Sequence, residues 1–197
     1  MNKNILRKIG LLLWMIFFGF CQPFCFCAVK DVDKYFDRGL ENLNQGNFQG
    51  AIENFTRVIE LDPKAHEAYY DRGAAYANLF AKVNPLERTK TFLNGGCPEL
   101  KAAIGDFTRA IAIAPNNFQY YLARGSAYIF VRQTKNAVVD LTRAIELNPN
   151  QADIYYNRGL AYIFCGDIKS GWADIDKSKK MGYATPSEVT DKLEKLK

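Results

Sequence analysis

An arginine–glycine pair returns at a regular interval along this chain, and that interval constrains the fold more than any other feature. The pair occupies 38–39, 72–73, 124–125 and 158–159. Successive glycines lie 34, 52 and 34 residues apart, so the middle interval is one period of 34 plus an insertion of 18 residues. Self-similarity at this interval predicts a repeat protein made of four copies of one supersecondary unit.

Each copy continues with the same order of residue types behind its glycine. In the first three copies an alanine precedes a large apolar residue, which is Phe55, Phe107 or Leu141, and a proline follows at Pro63, Pro115 or Pro149. Small residues at the glycine and alanine positions would let two helices approach closely, so each copy favours a helix pair. The second helix should end before the proline.

Two copies contain a motif that is close to that of a known repeat family. They read Tyr69-x-x-Arg72-Gly73-x-x-Tyr76 and Tyr155-x-x-Arg158-Gly159-x-x-Tyr162. This pattern resembles the tetratricopeptide repeat (TPR), in which an aromatic residue, Leu-Gly, Tyr, Ala, Phe and Pro recur. The resemblance covers about residues 32–183. It implies an all-α fold, an α-solenoid of about four helix-turn-helix TPR units with a C-terminal capping helix.

The period places the unit boundaries. The predicted units are 32–65, 66–117 with an insertion at about 81–98, 118–151 and 152–185, and the predicted capping helix is 186–197. The fourth unit departs most from the pattern, with Gly171, Ser178 and Tyr183 in place of alanine, a small apolar residue and proline. Terminal repeats of such arrays are atypical, and a capping box at 185–188 followed by apolar residues at helical spacing predicts the cap.

Two charged positions depart from the family pattern. Arginine replaces the family's leucine before every glycine, and the second helices of units two to four carry Asp106, Asp140 and Asp174 at one matching place. We predict ion pairs between neighbouring units, Asp106 with Arg124 and Asp140 with Arg158, because consecutive units stack in register. The alternative is solvated charge that contributes little to stability.

The first 27 residues read as a secretory signal peptide, because three basic residues precede an apolar run over 10–20. Cleavage after Cys27 would leave Ala28 as the first residue of an exported protein, either periplasmic or secreted. An uncleaved membrane anchor is the alternative, although Gln22 and Pro23 interrupt the apolar stretch.

Charge and motifs exclude several functions. Without the signal, 23 Lys and Arg face 21 Asp and Glu, a net charge of about +2, and no basic cluster with interleaved aromatics predicts nucleic-acid binding. No paired Cys or His spacing indicates a metal site. No nucleophile motif or phosphate loop indicates catalysis or a cofactor. The one histidine, His66, is expected to pack or to meet solvent.

Two cysteines follow the predicted signal, Cys97 in the insertion and Cys165 at the end of the first helix of unit four. A disulfide between them is conceivable, since both should lie toward the same edge of the solenoid. The favoured interpretation is two free thiols, with Cys165 buried and Cys97 in a loop.

The resemblance also implies a binding surface, because proteins of this family accept peptides or partner segments on a concave face lined by the first helix of each unit. The family's contact positions are the second, fifth, ninth, twelfth and thirteenth of each unit. The candidate contact residues carried over are Phe36, Leu40, Asn44, Tyr70, Asn78, Leu122, Ser126, Phe130, Tyr156, Leu160 and Phe164. This surface is apolar and aromatic with acidic entrances. It lacks the basic residues that clamp a C-terminal carboxylate in some members, so an apolar peptide or amphipathic helix is the predicted ligand.

Three functions are compatible with these residues. We favour an exported, non-enzymatic interaction scaffold. A self-associating structural protein of the cell envelope is second, with the groove or the unit ends meeting another copy. An enzyme is third, with a site in the insertion, where Glu87, Arg88, Lys90, Cys97 and Glu99 supply charge and a thiol. The insertion could also cover the groove with its own apolar side chains, or act as a recognition loop.

Overall fold

The computed structural model describes residues 22–83 and 97–185, with side chains from 31 onward, and within these ranges the chain is all-α. Its eight helices are α1 (Gln22–Asn44), α2 (Phe48–Leu61), α3 (His66–Lys82), α4 (Pro98–Ile113), α5 (Phe118–Phe130), α6 (Thr134–Leu147), α7 (Ala152–Phe164) and α8 (Ile168–Lys180). Consecutive helices pack as pairs, and each pair packs on the next. The predicted α-solenoid of four helix pairs is confirmed.

Polar side chains and prolines set the helix ends. The side chains of Asn47, Asn117 and Asp167 accept hydrogen bonds from backbone N–H groups in the first turns of α2, α5 and α8. These bonds satisfy donors that the start of a helix leaves unpaired. The helices α2, α4 and α6 end two residues before Pro63, Pro115 and Pro149, where the sequence predicts that they stop.

The repeated glycine is the contact point of each helix pair. A Cβ added at Gly73 would lie 2.7 Å from a ring carbon of Phe107, and one at Gly125 would lie 2.8 Å from Cγ of Leu141. Both large residues are fully enclosed in the core, at 2 % and 0 % exposure. Since a close-packed interior leaves no room for an added carbon, any larger residue would push the two helices apart.

The departures of unit four have structural consequences of their own. Gly171 faces Gly159 so closely that a Cβ on either would lie 2.8 Å from the other's carbonyl oxygen. The Ser178 hydroxyl is buried and donates a hydrogen bond of 2.8 Å to the backbone oxygen three residues before it. Tyr183, which replaces the proline, packs on Tyr156 with ring centroids 4.9 Å apart.

The arginine of each unit from two to four binds the aspartate on the second helix of its own unit. Arg124 donates from Nε and Nη2 to the two carboxylate oxygens of Asp140, at 2.7 and 2.8 Å. The same bidentate geometry joins Arg72 to Asp106 and Arg158 to Asp174. The predicted pairs between neighbouring units, Asp106 with Arg124 and Asp140 with Arg158, are therefore wrong, because each antiparallel helix pair brings its own arginine and aspartate together.

The arginine's hydrogen bond to the neighbouring unit is accepted by a threonine hydroxyl rather than by a carboxylate. Nη1 of each arginine donates to a threonine on the second helix of the preceding unit, in the pairs Arg72–Thr56 (3.0 Å), Arg124–Thr108 (3.0 Å) and Arg158–Thr142 (3.3 Å). The arginine side chains are 17 to 18 % exposed and the aspartates 6 to 10 %. The carboxylate raises the pKa of the Arg72 and Arg124 side chains. In unit one, Asn54 occupies the aspartate position and Arg38 is exposed.

Some helix ends differ from the predicted boundaries. The helix α1 begins ten residues before the predicted start of unit one and runs through the predicted cleavage site after Cys27. The helix α3 has 17 residues where α5 and α7 have 13, so both ends of the predicted insertion are helical. Residues 84–96, the predicted cap at 186–197 and most of the predicted signal lie outside the described residues. Among the helices that the structure does describe, none has the length and apolar character of a membrane span.

Cys97 and Cys165 are free thiols, so the conceivable disulfide between them is absent. Cys165, which was predicted to be buried, is exposed, and Cys97, the predicted loop thiol, is buried. Cys97 is 4 % exposed and directly precedes α4, and burial raises the pKa of its thiol. Cys165 is exposed because it caps the C-terminus of α7, at the turn that leads to α8.

Candidate functional site

The first helices of the four units form one continuous surface. The helices α1, α3, α5 and α7 each contact the next one in the series directly. Glycine contacts in all four units, and Arg–Asp pairs in units two to four, hold each first helix against its second helix. Equivalent positions therefore recur from unit to unit. We call this surface the groove, formed by positions 2, 5, 6, 9, 12 and 13 of the units that begin at residues 32, 66, 118 and 152.

The predicted contact residues lie on this surface with three degrees of exposure. Leu40, Asn44, Asn78, Phe130 and Phe164 are exposed; Phe36, Tyr70, Leu122, Ser126 and Leu160 are half-buried; Tyr156 is buried. Phe130 and Phe164 are 60 % and 56 % exposed and end α5 and α7. These two rings, which we call the aromatic edge, are the large apolar side chains of the groove that a partner could reach most easily.

The half-buried aromatic residues of the groove are also core residues. Phe36 makes an edge contact with Phe55 of α2, with ring centroids 5.6 Å apart. Tyr70 packs between Phe107 at 5.8 Å and Tyr120 at 5.0 Å. These rings join neighbouring helices as well as face the groove, so their replacement would change stability together with any binding.

Tyr156 differs from the other predicted contacts because the chain itself covers it. It is 6 % exposed beneath Tyr183, in the segment that follows α8. A partner would have to displace Tyr183 to reach this ring.

An apolar cavity opens between units two and three, next to the aromatic edge. Its volume is about 240 Å³, and it is lined by Ala74, Ala77, Asn78, Phe80, Ala81, Leu100, Phe107, Ala123, Ser126, Ala127 and Phe130. The rings of Phe80 and Phe130 stand 6.4 Å apart at its wall. Small side chains on α3 and α5 leave this space open, and the extra turn of α3 extends its wall.

Sequence reasoning missed part of this cavity. Phe80 follows the last family contact position of α3, Ala81 was assigned to the insertion, and Leu100 belongs to the second helix of unit two. The sequence does contain evidence for these lining residues, since apolar residues continue at helical spacing from Ala77 to Phe80 and Ala81. This continuation indicates an α3 longer than the family's repeat.

Acidic residues occupy the opposite edge of the groove. We call this set the acidic edge: Asp33, Asp37, Glu67, Asp71 and Asp153, all at positions 2 and 6 of their units. Burial, with a smaller contribution from Glu67, raises the pKa of the Asp71 carboxyl to about 6. One carboxylate oxygen of Asp153, Oδ1, is buried and has no hydrogen-bond partner among the described residues.

His66 lies beside the acidic edge in a structural contact. Its Nδ1 is 2.7 Å from the hydroxyl of Tyr120, which is 2 % exposed, and burial raises the pKa of that phenol. In residues 22–83 and 97–185, no group of three or more His, Cys, Asp or Glu side chains is arranged to hold a metal ion. The chemistry that the groove offers is apolar contact beside uncompensated negative charge.

Comparison with known proteins agrees with this architecture. A family model described as TPR repeat matches residues 34–79 and 133–163. Among solved structures, MamA is 23 % identical with a TM-score of 0.64, over 76 % of this chain and 77 % of that one. TTC0263, a thermophilic TPR protein of Thermus thermophilus, is 21 % identical with a TM-score of 0.59, over 73 % and 70 %. The first TPR of Spaghetti, bound to the HSP90 peptide SRMEEVD, is 20 % identical with a TM-score of 0.55, over 70 % and 98 %.

The fold and its repeated helix pairs therefore define an α-solenoid repeat protein. The in-register Arg-Gly motifs, and the repeat model that matches residues 34–79 and 133–163, support a tetratricopeptide repeat protein. Folds of this family commonly mediate protein–protein interaction and are typically not enzymes.

Proposed function

We propose that this protein is an exported, non-enzymatic adaptor that holds an apolar segment of a partner protein in its groove. The observation that carries the proposal is the cavity of about 240 Å³ between α3, α4 and α5, with Phe130 exposed at its rim. The cavity is lined by alanine and aromatic side chains and is open to solvent. Burial of a partner's apolar side chain in it would contribute favourable free energy of binding.

The ligand chemistry differs from that of the Spaghetti domain, whose peptide ends in Glu-Glu-Val-Asp. A domain that grips such a peptide needs basic side chains in its groove. Here the corresponding places hold Phe36, Leu40, Ala74, Leu122 and Ser126. Apolar contact is the interaction that these residues support.

Selection from a random library of displayed peptides on the immobilised protein tests the proposal. Phe130→Asp serves for counter-selection because it places a charge at the rim of the cavity. Complete loss of the Phe130 contact should weaken binding by about 1 to 2 kcal/mol, since its ring is only partly exposed before binding, and this corresponds to roughly 5- to 30-fold in Kd.

Val139→Asp is the matched control. Val139 is 68 % exposed on α6, a second helix, so the same introduced charge lies outside the groove. Peptides that bind the wild type and Val139→Asp alike, but lose affinity for Phe130→Asp, support the groove as the binding site. If both variants bind the peptides equally, the groove proposal fails.

Export and self-association have separate measurements. The intact mass and N-terminal sequence of the protein recovered from its cell envelope should identify Ala28 as the first residue if the predicted signal is removed. For self-association, the molecular mass in solution should rise with protein concentration. If it rises less for Phe130→Asp than for the wild type, the self-associating alternative is favoured.

A further inference from the structure

Charge is distributed unevenly across the groove. Its six positions in four units contain five acidic residues and no lysine or arginine. All five acids belong to the acidic edge, toward the N-terminal side of the first helices, whereas the aromatic edge and the cavity lie toward their C-terminal ends. A ligand that spans the groove would therefore meet negative charge on one side and apolar surface on the other.

Asp33, Asp37 and Glu67 are exposed to solvent, whereas Asp71 and Asp153 are half-buried. These two half-buried carboxylates lack the partners that the protein gives to its buried aspartates. Asp106, Asp140 and Asp174 each receive two hydrogen bonds from an arginine. In the described part of the chain, by contrast, no donor reaches the carboxylate of Asp71 or Oδ1 of Asp153. A half-buried carboxylate without a donor is costly, and a cation delivered by a ligand would compensate it.

Helix electrostatics alone do not explain the acidic edge. A carboxylate in the first turn of a helix is stabilised by the helix dipole, and this accounts for Glu67 and Asp153. Asp71 lies beyond the first turn of α3. Asp33 and Asp37 lie beyond the first turn of α1, whether this helix starts at Gln22 or at Ala28 after removal of the predicted signal. The effect falls off within one turn, so it does not favour acids at these three positions.

The acidic edge and the cavity are close enough to engage one short segment. Asp71 precedes Ala74, which lines the cavity, by three residues on α3. Residues three apart on a helix lie on the same face, with a rise of about 4.5 Å between them. Adjacent turns of a bound helix could therefore place an apolar side chain in the cavity and a basic one beside Asp71.

We propose that the groove recognises a cationic amphipathic segment of a partner protein, with an apolar side chain in the cavity between α3, α4 and α5 and a lysine or arginine beside Asp71. This inference rests on the proposed function, since it specifies the ligand of the same groove. The acidic edge selects the charge of the ligand, and the cavity supplies the apolar anchor. The acidic peptide class held by the Spaghetti domain is disfavoured by like charge.

Three designed peptides of about 18 residues test the proposal. They share one leucine face and carry lysine, glutamine or glutamate on the polar face, and binding is measured by fluorescence anisotropy. The lysine peptide should bind at least about 10-fold more tightly than the glutamine peptide, and the glutamate peptide most weakly. The preference should decrease between about 50 and about 300 mM NaCl.

Two variants and one matched control locate the effect. Asp71→Asn should remove most of the preference for lysine over glutamine, while Asp176→Asn, the same change at an exposed site on α8, should leave it intact. Phe130→Asp should weaken the glutamine peptide, whose binding depends on the apolar contact. Circular dichroism verifies that each variant is folded.

The outcomes separate this inference from the proposed function. The proposal of a cationic ligand is overturned if the lysine and glutamine peptides bind equally. It is also overturned if Asp71→Asn keeps the full preference for the lysine peptide over the glutamine peptide. If none of the three peptides binds, the inference also fails. The proposed function survives each of these results provided that the library-selected peptides still depend on Phe130, and it falls if they do not.

Discussion

Replacement of Asp140 by alanine removes both carboxylate acceptors of Arg124. The guanidinium would keep its 3.0 Å bond to the Thr108 hydroxyl but lose the two bonds of 2.7 and 2.8 Å from Nε and Nη2. In the wild type the Arg124 side chain is 17 % exposed and the Asp140 side chain 6 %. The variant therefore leaves a largely buried positive charge without its counter-ion.

The expected magnitude follows from this geometry. Removal of one partner from a buried ion pair costs about 3 to 5 kcal/mol. Because Arg124 retains some solvent contact and its threonine bond, we expect the lower end, about 3 kcal/mol. For a domain of about 150 residues, 1 kcal/mol corresponds to roughly 2 to 4 °C in Tm, so the midpoint should fall by about 6 to 12 °C.

Thermal and urea denaturation followed by circular dichroism measure the loss, and Glu146→Ala is the matched control. It breaks the Arg143–Glu146 pair, whose side chains are 44 % and 56 % exposed, and should cost no more than about 1 kcal/mol. Equal losses in the two variants would refute the assigned role of the buried pair. The double variant Arg124→Met, Asp140→Leu should recover most of the stability, since apolar residues of similar size need no counter-ion.

Three further predictions concern packing, titration and thiol chemistry. Gly125→Ala should lower the free energy of unfolding by about 1 to 3 kcal/mol, because its Cβ would meet a side chain of α6 at 2.8 Å. Gly105→Ala is the control, since a Cβ at this helical position meets open space, and it should raise the free energy of unfolding by about 0.5 to 1 kcal/mol. Urea denaturation measures both. Asp71→Asn should stabilise the protein by roughly 1 kcal/mol at pH 7, a value reduced for partial exposure. The folded-state pKa of Asp71, about 6, lies above the ordinary value of 3.8, so the native state binds this proton more tightly than the unfolded state. Denaturation at several pH values should show the stability gain of Asp71→Asn over the wild type decreasing below pH 6 and vanishing near pH 4. A gain that is independent of pH would contradict the assigned pKa. Brief labelling with N-ethylmaleimide and peptide mapping should modify Cys165 and spare Cys97 until the protein unfolds, and equal labelling of both would refute their assigned exposure.

The helix pairs could be predicted from the sequence because their cause is local and periodic. In units one to three, glycine, alanine and a large apolar residue recur in one order, and their spacing is the same once the 18-residue insertion of unit two is removed. Each triplet specifies the same close contact. The partner of each arginine could not be predicted in this way. The repeat shows that an arginine and an aspartate recur at the same two positions of units two to four. It does not show whether each arginine meets the aspartate of its own unit or that of a neighbouring unit.

The candidate groove was predictable in outline and less so in detail. The family's contact positions identified the exposed rings of Phe130 and Phe164. They did not identify the cover over Tyr156, because Tyr183 lies in the segment where the repeat pattern breaks down. They also omitted Asp71, because the sixth position is not among the contacts carried over from the family. Its significance depends on burial, which the sequence does not report.

The arginine–threonine bonds make the junctions between units chemically alike. Each unit from two to four presents an arginine to the threonine of the unit before it, so a duplicated copy of unit three placed between units three and four would find matching partners on both sides. The last unit carries Asp176 at the threonine position, and the first carries Asn54 at the aspartate position. The array can thus gain or lose internal copies through simple duplication, whereas the last unit lacks the threonine and the first unit lacks the aspartate that the other units use.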